Sequence, residues 1–589
     1  MIDKITIVDI RREGMHILLL NVSTMGYMLI ILTKQFTGYD LSIIEIVASL
    51  TDRFDVNTGN NKMTKNENNI DLHGLSSLAE LITESCTKFA DKPAFSCLGQ
   101  TFSFAQTYEQ ALNFSKYLQQ HTNIKAGDRI AVQLPNLIQF PVVAYGALLA
   151  GVVLVNTNPL YTPREMQHQF KDSSAKAIVI LADLLPNLTQ IIDNTDIEQV
   201  IVTQATDFLM PDKRYQGEYL SLLDCLEQGA KVESLTPVAG ELSDLAVLQY
   251  TGGTTGLSKG AMLSQINLLA NAEQSFQRFK PKCVDGEDVY ICPLPLYHIY
   301  AFLVNLILAA SHGAHNVLIP NPRDIDAFVK TLSAYRFTHF TGINTLFVGL
   351  CQHPDFVKLD FSSLRMTISG GTALTHSAAD IWLKVTGCTI SEGYGLSETS
   401  PVLCFNQPGN ERLGTIGFPL VDTDLQIWDE NNQAVAQGQE GEIVAKGPQV
   451  MSGYWQQEEA TAKSIINGYF KTGDVGVIDE DGRIRIVDRL KDMIIVSGFN
   501  VYPNEVEDVL SRHDDILEAA VIGEPDDGTG EKVAAFVVLK PDTGLTEEDV
   551  RGFCKEHLTP YKVPKKVAFI DELPKSTVGK ILRRELRSA

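Results

Sequence analysis

The chain is 589 residues long, too long for a single hydrophobic core, so two or more domains are expected. With 44% hydrophobic and 21% charged residues it reads as an ordinary folded protein, which excludes fibrous and disordered classes. Its 49 basic against 72 acidic residues give a formal net charge of -23, which argues against a nucleic-acid partner because a polyanion would be repelled. Nine cysteines are dispersed from Cys86 to Cys554 without metal-ligand spacing, which predicts reduced, mostly core thiols and no structural zinc.

Residues 1–62 do not resemble the start of a folded domain. Arg11 and Arg12 precede a mostly apolar run from Met15 to Leu32, near the minimum length for a membrane anchor and also readable as a poor signal sequence. The preferred reading is a translated upstream stretch ahead of a true start at Met63, with Asn57 to Asn69 a flexible, polar terminus. From Leu75 onward, helical and strand-like segments alternate. Leu78, Leu81, Ile82 and Phe89 predict a helix, Asp128–Leu134 a strand, Ile138–Ala150 a helix, Gly151–Asn156 a strand and Ala177–Leu181 a buried strand. Leu160–Glu165 reads as a loop leading into another helix. This alternation implies a mostly parallel sheet covered by helices on both faces.

Asp244–Gln249 predicts a buried strand, and Ser264 caps a helix with apolar positions at Ile266, Leu269, Ala272, Phe276 and Phe279. Between them lies Tyr250-Thr251-Gly252-Gly253-Thr254-Thr255-Gly256-Leu257-Ser258-Lys259-Gly260, expected to join strand to helix. Its glycines let peptide N–H groups approach a ligand closely. Hydroxyls at Thr251, Thr254, Thr255 and Ser258 and the cation of Lys259 equip it for an oligophosphate. The spacing is not that of a Walker A loop. Further on, Val289–Cys292 predicts a strand stopped by prolines ahead of His298, and Leu364–Ser369 a strand followed by Gly370-Gly371, where a flat ring can approach the backbone. In Glu392-Gly393-Tyr394-Gly395-Leu396-Ser397-Glu398-Thr399, the Tyr394 ring can stack on adenine and Glu398 can ligate a Mg²⁺ ion bridging a triphosphate. Taken alone, Glu398 reads as a helix-start acid.

Leu413–Met493 changes to short strands separated by Asp, Asn and Gly turns, which suggests an antiparallel subdomain. Asp474 there offers a carboxylate to a ribose diol and Arg489 a second polar contact. Beyond Arg489–Asp492 the remaining residues suffice for a small domain, with a helix at Glu505–Leu510, strands at Ala519–Ile522 and Ala534–Leu539 and a helix at Glu547–His557. Lys580 follows Gly579 on a loop before a basic tail.

The phosphate loop, Gly370-Gly371, the Glu392–Thr399 block, Asp474, Arg489 and Lys580 occur in an order and spacing that resemble the adenylate-forming ligases, and Gly447–Trp455 with Asn467–Asn504 looks most like the bacterial long-chain fatty acid:CoA ligases. The resemblance covers Leu75 to Arg587. It implies an α/β protein: α/β subdomains with mostly parallel sheets plus a small antiparallel β-barrel-like subdomain over residues 63–490, then a small mobile α+β domain over 491–589. It implies MgATP, a fatty acid and coenzyme A as substrates, with acyl-AMP formed first and acyl-CoA second. Lys580 is then catalytic, His298 gates the acyl pocket, and Thr254 joins Glu398 as metal ligand. Thr251, Gly252, Gly253, Thr254, Thr255, Gly256 and Lys259 hold phosphate, while Gly370, Gly371, Tyr394, Gly395, Thr399, Asp474 and Arg489 line the nucleotide. Gly498, in the Ser497–Asn500 loop, borders a pantetheine tunnel once the terminal domain rotates about Asp488–Asp492. Medium-chain ligation, or loading of a separate carrier protein, stays open as an alternative. A cytoplasmic setting with peripheral contact at the inner membrane, and a homodimer, complete the expectations.

Overall fold

A computed structural model describes residues 70–238, 240–251, 258–541, 543–576 and 580–587, together with the backbone of three strands near the start. The chain divides into two compact units, Met1–Lys65 and Asn66–Ala589. In the first, β1 (Ile5–Arg12), β2 (Met15–Val22) and β3 (Tyr27–Leu32) form an antiparallel sheet. The apolar run expected as an anchor or signal therefore folds back on itself as β2 and β3, and no helix among the described residues is long and apolar enough to cross a membrane. Met63 and residues 57–69 lie outside the described residues.

The second unit begins with helix α1 (Leu78–Lys88), then β4 (Pro93–Cys97), β5 (Gln100–Ser103) and α2 (Phe104–His121). A regular β-α-β alternation follows: β6 (Arg129–Gln133), α3 (Gln139–Leu149), β7 (Val153–Asn156), α4 (Pro163–Ser173) and β8 (Ala175–Leu181). Every residue of α3 is buried, and after Gln139, whose amide donates to the Gln204 carbonyl, its sequence is apolar on all sides. Helix α4 starts at a capping box in which the Thr162 hydroxyl accepts from the Glu165 amide and the Glu165 carboxylate accepts from the Thr162 amide, with Pro163 at the first helical position. With β9 (Gln199–Thr203), β10 (Leu220–Ser221), β11 (Leu245–Thr251) and β12 (Lys259–Ser264), these strands make a seven-stranded sheet in the order β10-β9-β8-β6-β7-β11-β12.

One expectation is corrected here. The glycine-rich loop was expected to join a strand to a helix, whereas Lys259–Ser264 pairs antiparallel with β11, so the loop is the tip of a hairpin. Helix α5 (Gln265–Phe279) begins one residue after β12, and the Ser264 cap is present as a capping box with Asn267.

A second sheet of nine strands uses β4, β5, β13 (Val289–Cys292), β14 (His315–Leu318), β15 (His339–Gly342), β16 (Met366–Ser369), β17 (Ile390–Gly395), β18 (Val402–Phe405) and β19 (Phe418–Pro419). It is parallel from β4 through β17 and antiparallel at both edges. One apolar core, including Phe140, Tyr145, Phe340 and Trp382, runs between the helices of both sheets.

The region after β19 is antiparallel: β20 (Asp424–Trp428), β21 (Gly441–Lys446), β22 (Ile465–Ile466), β23 (Tyr469–Ile478) and β24 (Ile484–Arg489). Strands β22 and β24 both pair with the long β23 while β20 pairs with β21, and the Ile416 and Ile484 amides exchange bonds with the Ile484 and Gly417 carbonyls at 2.8 and 2.9 Å, so the β24 edge is covered by the segment before β19, in keeping with the barrel-like subdomain expected. The last stretch is α+β. Strands β25 (Ile494–Val496), β26 (Phe499–Val501), β27 (Ile516–Asp526), β28 (Gly530–Leu539) and β29 (Lys566–Phe569) are flanked by α6 (Pro503–Ser511) and α7 (Glu547–His557). Val506, Val521, Val537 and Val550 fill one core of this body, and Ile522, Phe536 and Leu573 a second.

Candidate active site

The phosphate hairpin is held at both ends. Thr251 and Lys259 are its last register pair, and one residue further back Tyr250 faces Gly260. Helix α4 grips both arms: the Tyr250 hydroxyl donates to Asp172 Oδ2 at 2.6 Å, and His168 Nε2 lies 2.8 Å from the Ser258 carbonyl. Gly252, Gly253, Thr254, Thr255 and Gly256 lie outside the described residues. Lys259 is described, with Nζ 5.0 Å above the Tyr454 ring.

The parallel strands of the second sheet deliver the next groups at their carboxyl ends, the usual place for ligands in such sheets. After β16 come Gly370 and Gly371. A Cβ on Gly370 would stand 3.3 Å from the Tyr300 ring, and one on Gly371, whose φ is +86°, would stand 3.7 Å from Lys580 Cε. After β17 the chain turns tightly at Gly395, where a Cβ would be 1.7 Å from the Pro401 carbonyl oxygen. Thr399 closes this turn, its hydroxyl accepting from the Leu396 amide at 3.0 Å and donating to the Pro401 carbonyl. Tyr394 is buried and donates its hydroxyl to Asp474 Oδ2 at 2.6 Å, while Arg489 Nε lies 3.0 Å from Asp474 Oδ1. Tyr394 is thereby fixed by a carboxylate, a contact the sequence reading did not foresee.

Glu398 is buried, and burial raises its pKa above the ordinary carboxylate value. One of its oxygens accepts from the Tyr454 hydroxyl at 2.8 Å. A carboxylate oxygen donor of this kind fits Mg²⁺ chemistry; Thr254, the other expected ligand, is outside the described residues. Lys580 enters the same neighbourhood. Burial, then the charge of Arg489, push its ammonium down to about 8, opposed by Asp474 and Glu398. His298 caps the short helix Ile299–Ala301, its Nδ1 accepting from the Tyr300 amide at 3.3 Å. Burial and the Lys580 charge hold its pKa at about 3, so the imidazole is neutral. The fold thus brings Gly371, His298, Glu398, Asp474, Arg489 and Lys580 together. Gly498 stands apart on the β25–β26 turn, with φ +83° and nothing within 4 Å of a Cβ built there.

Four groups went unassigned in the sequence. His168 and Asp172 hold the loop from a helix far upstream, and no local pattern points to them. Tyr454 stood within a motif already noted for its resemblance. Glu392 opened another: its Oε1 accepts from the Leu374 amide at 3.1 Å, its Oε2 is buried without a partner, and burial raises its pKa to about 7.

Residues 82–455 match the AMP-binding enzyme family and residues 505–580 the AMP-binding enzyme C-terminal domain. The chain is 45% identical over 530 residues to the long-chain-fatty-acid–CoA ligase of Salmonella typhimurium, covering 87% of this chain and 94% of that protein. Among solved structures, the anthranilate CoA ligase AuaEII in complex with anthranoyl-AMP superposes with a TM-score of 0.80 at 26% identity, covering 88% of this chain and 98% of that one. ATP-bound MatB from Rhodopseudomonas palustris gives 0.78 at 30% identity, covering 87% and 99%. The gathering of Lys580 with Glu398, Asp474 and Arg489 beside the carboxyl ends of the parallel strands and these likenesses converge on one assignment: the chain belongs to the AMP-binding, adenylate-forming enzyme family.

Proposed function

We propose that this protein is an ATP-dependent, AMP-forming long-chain fatty acid:CoA ligase. The observation that carries the reading is the position of the Lys580 charge among Arg489, Asp474 and Glu398, in a chain 45% identical to a long-chain-fatty-acid–CoA ligase. A carboxylate is a poor acyl donor because oxide is a poor leaving group. In the first half-reaction a fatty carboxylate oxygen attacks the α-phosphorus of ATP and the bond to the β-phosphate oxygen breaks, releasing pyrophosphate. In the second, the CoA sulfur attacks the acyl carbon, AMP leaves with the bonding pair, and the thiol proton is lost.

The chain's own groups fit the first step as charge stabilisers. Lys580 would offset negative charge on the α-phosphoryl group, and the Thr251–Lys259 loop would hold the β- and γ-phosphates. Asp474 and Arg489 suit the ribose, and Tyr394 the adenine face. The unpartnered Glu392 Oε2 suits a purine amino group. Mg²⁺, when bound, would neutralise phosphate charge, with Glu398 and Thr254 as its protein ligands. Neutral His298 suits the wall between the nucleotide and an apolar acyl chain. For the second step the body from Lys491 onward would turn about Asp488–Asp492, withdrawing Lys580 and bringing Gly498 toward the pantetheine arm. Met63 would be the working start of the fold. The amphiphilic substrate supports a cytoplasmic enzyme with peripheral contact at the inner membrane; flotation with vesicles tests it, and sedimentation tests the homodimer.

A panel of C6 to C18 acids assayed with ATP and CoA, with AMP and thioester quantified separately, tests the reading. The expected result is CoA-dependent turnover highest with the longer acids. Best turnover with the shorter acids would replace it with medium-chain ligation, and AMP release that needs a carrier protein in place of CoA would replace it with an acyl-AMP ligase.

A further inference from the structure

Residues 447–455 form a strap that no assigned step uses. It is zipped onto the phosphate hairpin by the Met262 amide donating to the Gly453 carbonyl at 2.9 Å and the Trp455 amide donating to the Gly260 carbonyl at 2.8 Å. It is tied to the turn carrying Glu398 by the Met451 amide, which donates to the Glu398 carbonyl at 2.8 Å. Its far end is anchored by Trp455 Nε1, 3.1 Å from the Asp172 carbonyl on the helix that also grips Tyr250. Tyr454 therefore sits between two groups expected to meet the triphosphate. Its hydroxyl lies 2.8 Å from Glu398 Oε1, and Lys259 Nζ lies 5.0 Å above its ring.

We propose that Tyr454 is a positioning residue of the adenylation step: its hydroxyl aims the Glu398 carboxylate and its ring seats the Lys259 ammonium, so that the strap sets the spacing between metal ligand and phosphate loop. The proposal rests on the ligase reading above. A buried carboxylate with no partner is costly, and a single donor on one oxygen fixes its orientation while leaving the other oxygen available. The ring face suits a cation. The tyrosine is itself held: its amide donates to Thr461 Oγ1 at 2.9 Å, and that hydroxyl donates to the Gln457 carbonyl at 2.9 Å. A mere packing role would need neither the hydroxyl aimed at Glu398 nor the cation over the ring.

The test uses the full chain and reads metal binding directly: free Mn²⁺ is followed by electron paramagnetic resonance in the presence of α,β-methylene-ATP, which supports no adenylation. Tyr454→Phe keeps the ring and removes the donor. The expected result is a rise of about tenfold in the Mn²⁺ dissociation constant, the scale seen when the partner of a metal ligand is removed, with the melting temperature shifted by only a few degrees. In a Glu398→Gln background the same change should add less than about twofold, because the hydroxyl acts through that carboxylate. Thr461→Ala, which loosens the strap without touching either ring or carboxylate, should weaken Mn²⁺ binding in the same direction and serves if Tyr454→Phe does not fold. Unchanged Mn²⁺ affinity in the folded variants, or an equal loss with and without Glu398, overturns the proposal. Absence of fatty-acid-dependent turnover in the unaltered enzyme would instead overturn the ligase reading, and the two failures are distinct.

Discussion

Lys580 carries a charge that its surroundings partly resist. Its pKa lies at about 8 against an ordinary 10.5, through burial and the nearby Arg489. Acyl-adenylate formation should therefore fall as pH rises through about 8, well before an exposed lysine near 10.5 would lose its proton, and a pH profile of ATP–pyrophosphate exchange checks it. Lys580→Ala should lower that exchange on the order of 10²- to 10³-fold, while conversion of supplied acyl-adenylate to thioester is largely kept. Glu392, whose pKa is shifted upward, gives a stability prediction. Its folded pKa of about 7 lies above the ordinary 4.5, so the folded state holds the proton more tightly than the unfolded one. Its contribution is thus lost as pH rises from 4.5 to 7. Glu392→Gln should be more stable than the unaltered chain at pH 8 by roughly 1–3 kcal/mol, with the difference vanishing near pH 4, as read by chemical denaturation. Lys580 and Glu398 were singled out in the sequence only through the resemblance their motifs carry. Glu392 was not singled out, because its significance depends on an oxygen that finds no partner only after two strands pair.

At the level of elements, α4 is the scaffold of the phosphate hairpin, with His168 and Asp172 one turn apart on one face and gripping opposite arms. Asp172→Ala should free Tyr250 and raise KM for ATP by about tenfold, with KM for CoA little changed, since small misplacements of positioning groups are costly. Steady-state kinetics with each substrate varied separately decides it. Much of this scaffold was readable in advance: the Ser264 cap, the loop at Leu160–Glu165 leading into a helix, the helix within Ile138–Ala150 and the alternation from Asp128 to Leu181 follow local rules that the fold obeys. Strand β12 escaped notice because Lys-Gly-Ala-Met-Leu-Ser has no alternation and is a strand only by pairing with β11. The antiparallel region after Leu413 was readable from its turns at Asp429–Asn432 and Asp479–Gly482, but the bonding of Ile416 and Gly417 to Ile484 was not, because which edges meet is not written locally.

On the scale of the whole molecule, bonds among the described residues join the body that carries Lys580 to the strands before it. Asp488 Oδ2 accepts from the Asn504 amide at 2.8 Å, at the start of α6, and the Tyr502 hydroxyl donates to Glu440 at 3.0 Å. With Lys491 between these anchors, Lys491→Pro should fix a backbone dihedral that the proposed rotation would use. Thioester formation should drop by at least about tenfold while pyrophosphate exchange is retained, as rapid-quench measurement of each half-reaction would register; equal loss of both would count against the hinge.

The bare backbone at Gly371 leaves this position little evolutionary latitude. Its φ of +86° would strain any side chain, and a Cβ there would already touch the methylene chain of Lys580, 3.7 Å from Cε. Any drift away from glycine would therefore be felt in the backbone and against the lysine at once.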